Sequence, residues 1–328
     1  MLQWTKSFKR LLYSKSLKSF WRYRMLRLVF QILLLASLVG GAVRADQNPP
    51  GRLLDMGGFK LHLYCVGEGI PTVVLDAGLG GSANDWSKVQ PLLRQTTRVC
   101  TYDRAGYGWS DRGPTPRTSG RLASELRTLL ARAKVPPPYI VVGHSFGGYN
   151  ARLFSSFYPD DTAGVVLVDS PHEAQVPKLF QHQIIRMIDP HGLLQQLWTP
   201  EVARALSSVE LGAIAPLLGL KAKTLHAILG ELAAFKESGD ELSASPINPD
   251  LPLVVIIHGL RVLPPGLGDQ MERQWLQLLR HLAQRQRHGR FVIAEKSAHF
   301  VPLEQPGLVA DEIRNMVQIY SGNSTHNP

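Results

Sequence analysis

The sequence predicts an α/β fold in which a mainly parallel sheet is covered by helices on both faces. Three observations point to it. Short apolar runs rich in β-branched residues alternate with helix-period patterns along the chain. Several of these runs are apolar without interruption, the mark of strands buried on both sides. The 328 residues are 44% hydrophobic and 19% charged, which is enough for one large domain with a substantial core.

In chain order, residues 1–45 come first, with nine basic residues and no acidic one. The apolar run at 28–39 is shorter than the ~20 residues of a membrane-spanning helix. Val43 and Ala45 place small side chains where signal peptidase reads. The segment therefore reads as a signal peptide cleaved after Ala45, or as a retained N-terminal membrane anchor. Either way the body, 46–328, is expected to be exported (periplasmic or extracellular). The whole chain carries +10, but removing the nine N-terminal bases leaves 27 Lys and Arg against 26 Asp and Glu. A nearly neutral body without a basic stripe excludes a nucleic-acid partner.

Strand-like runs follow at 60–66, 72–75 and 98–102. Between the last two, residues 85–95 read as a helix with Trp86, Val89, Leu92 and Leu93 on one side. A helix over 119–134 is expected from Leu122, Leu126, Leu129 and Leu130, with Ser119 as its N-cap and Pro136 to Pro138 as its stop. A strand at 139–142, a helix at 146–158 and a strand at 165–168 come next. Residues 170–250 hold no convincing strand but several helical pieces, among them 178–188 and 224–236. We read them as a cap over the carboxyl edge of the sheet, where ligands of such folds bind. A strand at 253–257, a helix at 270–286, a strand at 290–294 and a helix at 308–320 complete the pattern.

One short stretch carries the chemistry. Gly143-His144-Ser145-Phe146-Gly147 matches G-x-S-x-G, with a strand before it and a helix after it. In that setting the serine sits on a tight turn that only small neighbours allow, at the positive end of a helix. Here the sequence resembles the α/β-hydrolase superfamily, in its branch of small capped serine hydrolases, over about residues 50–320. The resemblance implies a mostly parallel eight-stranded sheet with a helical cap and makes Ser145 the nucleophile. It also implies an oxyanion hole built from the amides of Phe146 and Leu79. Leu79 lies in the turn 75–82, where Ala77-Gly78 stands in place of the family's usual His-Gly.

Of eleven histidines, the order Ser, acid, His selects His299, after the last strand. His144 is expected to be structural or to line the pocket wall. His172, His182 and His191 fall in the cap, and His326 in the polar tail. The acid departs from the commonest pattern, because His258 to Leu263 contains no carboxylate. Asp169, one parallel strand earlier, is favoured over Asp269, which also suits a helix N-cap, with Glu295 a further alternative. Asp103 and Arg104 precede Ser145 and so break triad order; their stretch reads as a loop held by local hydrogen bonds. Trp86 and Trp109 belong to the pocket or to the core.

By the same resemblance Cys65 and Cys100 fall on neighbouring antiparallel strands, where a disulfide is feasible if they share a face. That would agree with export. The expected activity is hydrolysis of a small-molecule ester, or a related acyl bond, through an acyl-enzyme. No metal or organic cofactor is implied. A ligand-binding module that has kept the fold and lost the chemistry is the alternative, and a membrane-tethered interaction protein a third reading.

Overall fold

The eight strands are ordered β1-β2-β4-β3-β5-β6-β7-β8, in a computed structural model that describes residues 48–175, 212, 215–263 and 265–324. The leader or anchor ending at Ala45, the helix at 178–188, His182, His191 and His326 lie outside the described residues. Among the described residues no helix is long and apolar enough to cross a membrane.

The strands are β1 Arg52–Asp55, β2 Lys60–Val66, β3 Thr72–Asp76, β4 Val99–Asp103, β5 Tyr139–His144, β6 Thr162–Val168, β7 Leu253–His258 and β8 Gly289–Ala294. The pairs β1–β2 and β2–β4 are antiparallel, and every other pair is parallel. Strand side chains alternate between faces, so an unbroken apolar run supplies both layers of the core. Val74, Val141, Leu167 and Val255 enter one layer, with Leu126 and Phe154. Val73, Val142, Val166 and Ile256 enter the other, with Trp86 and Ile313.

The helices among the described residues are α1 Gln90–Leu93, α2 Ser119–Arg132, α3 Gly147–Phe157, α4 Ala222–Ala233, α5 Phe235–Ala244, α6 Leu267–Gln284, α7 Val301–Glu304 and α8 Pro306–Ser324. The helix expected at 85–95 is broken: a 3-10 turn at Ala83–Trp86 precedes the short α1. Pro91 explains the break, since it lacks the amide that would continue a helix from residue 87 and its ring crowds the preceding turn. Trp86, Val89 and Leu93 are buried as expected, whereas Leu92 is 45% exposed.

In α2 the cap is Thr118, one residue before the expected Ser119. Its hydroxyl accepts from the Arg121 amide at 3.3 Å, while the Ser119 amide donates to Ser238 Oγ at 2.9 Å. The helix ends before its prolines, at Lys134 with φ 57°. There the Val135 amide reaches back to the Leu130 carbonyl at 3.0 Å, a Schellman-type closure.

Cys65 and Cys100 are direct register partners on β2 and β4, with Cα atoms 4.0 Å apart, and form a disulfide. The link closes a 35-residue separation, for which loop entropy predicts about 4 kcal/mol of stabilisation.

Candidate active site

Ser145 occupies the bend between β5 and α3 with φ 50°, a left-handed conformation unusual for a residue bearing a side chain. The chain must double back there, and Gly143 and Gly147 make room. A Cβ on Gly143 would stand 2.2 Å from the Gly147 carbonyl oxygen, and one on Gly147 would stand 2.5 Å from that of Asp76. The Ser145 amide donates to the Val168 carbonyl at 2.9 Å, and the Gly148 amide to the Ser145 carbonyl at 2.9 Å. These bonds fix the turn, and the hydroxyl stands at the N-terminus of α3.

His299 comes from the loop between β8 and α7. That loop is braced by the Ala298 amide donating to Glu304 Oε2 at 2.7 Å and the Lys296 amide donating to Gln305 Oε1 at 2.7 Å. Its Nε2 lies 3.0 Å from Ser145 Oγ, and its Nδ1 lies 2.6 Å from Asp169 Oδ2. With the carboxylate accepting, the proton sits on Nδ1 and Nε2 is free to accept from the hydroxyl. Asp169 directly follows β6, fully buried, also in a left-handed conformation with φ 48°. The structure thus brings together Ser145, His299 and Asp169 from three separate segments.

Asp269 lies elsewhere. It is in the first turn of α6, pairs with Arg261 and accepts from the Gly266 amide at 3.1 Å. Glu295 is exposed.

Two residues at this site had no role in the sequence reading. His258 ends β7, the strand after which a carboxylate was missing. Its Nδ1–H donates to Asp169 Oδ1 at 2.5 Å, and its backbone amide donates to the same oxygen at 3.0 Å. Its Nε2–H donates to Glu272 Oε2 at 2.6 Å. Glu272 in turn accepts from the Val262 and Leu263 amides at 2.7 and 2.6 Å. A line of Ser, His, Asp, His and Glu therefore runs from the β5–α3 bend to α6. The signal available in sequence was the position itself: a polar residue closing a buried strand at the sheet's carboxyl edge.

Burial would raise the Asp169 carboxyl, but hydrogen bonds from His258 and His299 outweigh it and hold the group well below the usual carboxylate range. Burial opposes the charge on His258, yet the bonds to Asp169 and Glu272 lift it to about 9. His258 is then a cation between two carboxylates at neutral pH. Since its folded value lies above its unfolded one, its stabilisation is complete below about pH 6.5 and is lost as pH rises through about 9. We expect wild type to lose on the order of 3 kcal/mol more stability between pH 6.5 and 9.5 than His258→Gln does. Urea unfolding of both proteins at the two pH values checks this, and parallel losses would refute it.

His144 takes the structural role expected of it. Its Nε2–H donates to the His299 carbonyl at 2.8 Å, and the two rings lie 4.9 Å apart. Burial and the neighbouring His299 depress it to about 3, so it stays neutral. The Ala77-Gly78-Leu79 turn passes directly against the serine, for a Cβ on Gly78 would be 3.1 Å from Ser145 Cβ. Among the described residues no hydrogen-bond acceptor pairs with the Leu79 or Phe146 amide. Asp103 closes β4 and accepts from His62 Nδ1 at 2.8 Å and from the amides of Ala83 and Trp109 at 2.8 and 2.9 Å, so this stretch is held by bonds from distant segments as well as the local one expected. Trp86 is core. Trp109 is 39% exposed and lines a separate cavity of about 330 Å³ with His62, Gln90 and Arg94. Among the described residues no group of His, Cys, Asp and Glu is placed to hold a metal ion.

Comparison with known proteins agrees with this architecture. A family model described as the alpha/beta hydrolase fold matches residues 71–194. An "AB hydrolase superfamily protein" of Gibberella zeae is 26% identical over 284 residues, 76% of this chain and 87% of that protein. "Probable transporter efuK" of Hormonema carpetanum is 33% identical over 135 residues, 39% of this chain. The chain spans only 19% of that relative's length. Among solved structures, a thermophilic esterase of Thermogutta terrifontis superposes with a TM-score of 0.58 at 21% identity, covering 84% of this chain and 99% of that one. At that identity the likeness speaks for the fold.

Proposed function

This chain belongs to the α/β-hydrolase superfamily, and on that premise we propose that it is a serine hydrolase cleaving a carboxylic ester, or a related acyl bond, of a small molecule. The single observation that carries the reading is the unbroken line from Ser145 Oγ through both ring nitrogens of His299 to Asp169, at 3.0 and 2.6 Å. Ser145 Oγ attacks the acyl carbon while His299 Nε2 takes its proton. The negative charge that develops on the carbonyl oxygen is met by the Leu79 and Phe146 amides, with the α3 N-terminus behind them. The tetrahedral adduct collapses as His299 returns the proton to the departing oxygen, leaving Ser145 acylated. A water molecule then gives a proton to His299 and attacks the acyl carbon; the second adduct collapses with loss of the bond to Ser145 Oγ, which takes the proton back from His299, and the acid is released. Asp169, held ionised, keeps the Nδ1–H tautomer and stabilises the imidazolium without taking its proton.

Loss of chemistry on a retained fold was the competing reading, and its support was the lack of an evident acid. The Asp169 carboxylate, 2.6 Å from His299 Nδ1, supports the enzyme reading over it. Export of the body, with the N-terminal segment as leader or anchor, remains our proposal; the Cys65–Cys100 disulfide supports it because such links persist in oxidising compartments. A fluorophosphonate probe tests the activity directly. The purified protein should be labelled at one serine and should turn over short p-nitrophenyl esters. A folded protein that does neither would overturn the proposal.

A further inference from the structure

Arg104, just beyond β4, is buried, and all five of its N–H donors are engaged. On one side Nε and Nη2 grip Glu231 of α4 at 2.9 and 3.0 Å. On the other, Nη1 donates to the Ala77 carbonyl at 2.6 Å and to Asp76 Oδ1 at 2.6 Å, and Nη2 donates to the Gly78 carbonyl at 2.8 Å. The Gly78 carbonyl and the Leu79 amide belong to one planar trans peptide, so their C=O and N–H point in opposite directions. Holding the Gly78 oxygen therefore aims the Leu79 N–H away from Arg104. Gly78 itself lies against Ser145.

The grip is anchored on all sides. Glu231 is fully buried and also accepts from Tyr107 Oη at 2.9 Å. Asp76 accepts from Tyr102 Oη at 2.8 Å and from Asn150 Nδ2, on the helix that follows Ser145, at 2.9 Å. A lysine could not span these acceptors, because its single ammonium lacks the planar fork that reaches two carbonyls and a carboxylate at once.

We propose that Arg104 is a positioning residue that orients the Leu79 amide toward the developing oxyanion, and that Glu231 makes this orientation depend on the seating of α4. The inference rests on the hydrolase reading above and adds to it a coupling between a helix of the β6–β7 segment and the stabilisation of the transition state. Such a residue acts on the transition state more than on the bound substrate, so its loss falls on kcat and leaves KM nearly unchanged.

The test compares the full-length wild type with Arg104→Lys and Glu231→Gln, each normalised to the sites titrated by fluorophosphonate so that misfolded protein does not count. With p-nitrophenyl butyrate, Arg104→Lys should lose about 100-fold in kcat, in line with removal of an oxyanion donor, with KM within about twofold. Glu231→Gln should lose about tenfold, with the same split, and serves alone if Arg104→Lys does not fold. Affinity for a trifluoromethyl ketone, whose adduct carries the oxyanion, should fall by the same factors as kcat/KM. Unchanged kcat and ketone affinity per titrated site in both variants would overturn the coupling while leaving the hydrolase reading intact. An equal fall in ester and ketone binding, with kcat unchanged, would also overturn it. A wild type that neither labels nor turns over would bring down the hydrolase reading, and this inference with it.

Discussion

Ser145→Ala should lower kcat for p-nitrophenyl esters by a factor on the order of 10⁵ to 10⁶ and abolish fluorophosphonate labelling. In the proposed reaction the hydroxyl is the atom that bonds to the acyl group, and the described site offers His299 no substitute for it: Nε2 is directed at Ser145 Oγ. A residual rate above that of water is expected, because the Leu79 and Phe146 amides still meet an oxyanion formed by direct attack of water. The substitution removes one buried oxygen and leaves the turn's backbone bonds in place, so far-ultraviolet circular dichroism should match wild type. Turnover within about tenfold of wild type would place the chemistry elsewhere, because loss of a true nucleophile costs several orders of magnitude more than that.

Asp169→Asn should be nearly as damaging, with kcat down by about 10⁴-fold. Three donors converge on this carboxylate: His299 Nδ1–H on one oxygen, and His258 Nδ1–H and the His258 amide on the other. An asparagine has one oxygen to offer and must turn its NH₂ toward one of the histidines. If it faces His299, the ring is driven to the opposite tautomer and Nε2 no longer accepts the serine proton. If it faces His258, a buried cation loses one of its two carboxylates and keeps only Glu272, at a cost on the order of 3 kcal/mol. Stopped assays beside chemical denaturation separate the two outcomes. Asp269→Asn is the control: it touches an exposed pair with Arg261 and the first turn of α6, and kcat should stay within about twofold, as exposed pairs contribute little. Equal losses in the two variants would reject Asp169 as the acid.

Most of the architecture was open to inspection in the sequence, because buried parallel strands need side chains that satisfy two apolar layers at once. Val141 and Val142 go to opposite layers, so both must be apolar, and the run stands out. β1 was not legible for the complementary reason: Arg52–Asp55 is an edge strand whose side chains are mostly exposed, and pairing with β2 demands only backbone. The helix over 85–95 was overdrawn because spacing alone ignored Pro91. At the site, Ser145 and His299 were legible from turn chemistry and chain order. Asp169 could only be preferred, since a carboxylate ending a strand and one opening a helix look equally polar in one dimension. His258 and Glu272 escaped notice because their partnership joins β7 to α6 through a third residue 89 positions upstream of His258.

The left-handed backbone at Ser145 has a lasting consequence. A residue with a side chain held there costs on the order of 1–2 kcal/mol that glycine would avoid. A lineage of this protein screened only for survival on heating would accept glycine at 145 and fall silent as an enzyme. At that position durability and chemistry are rivals, and whatever keeps Ser there must act through what the molecule accomplishes, against what it endures.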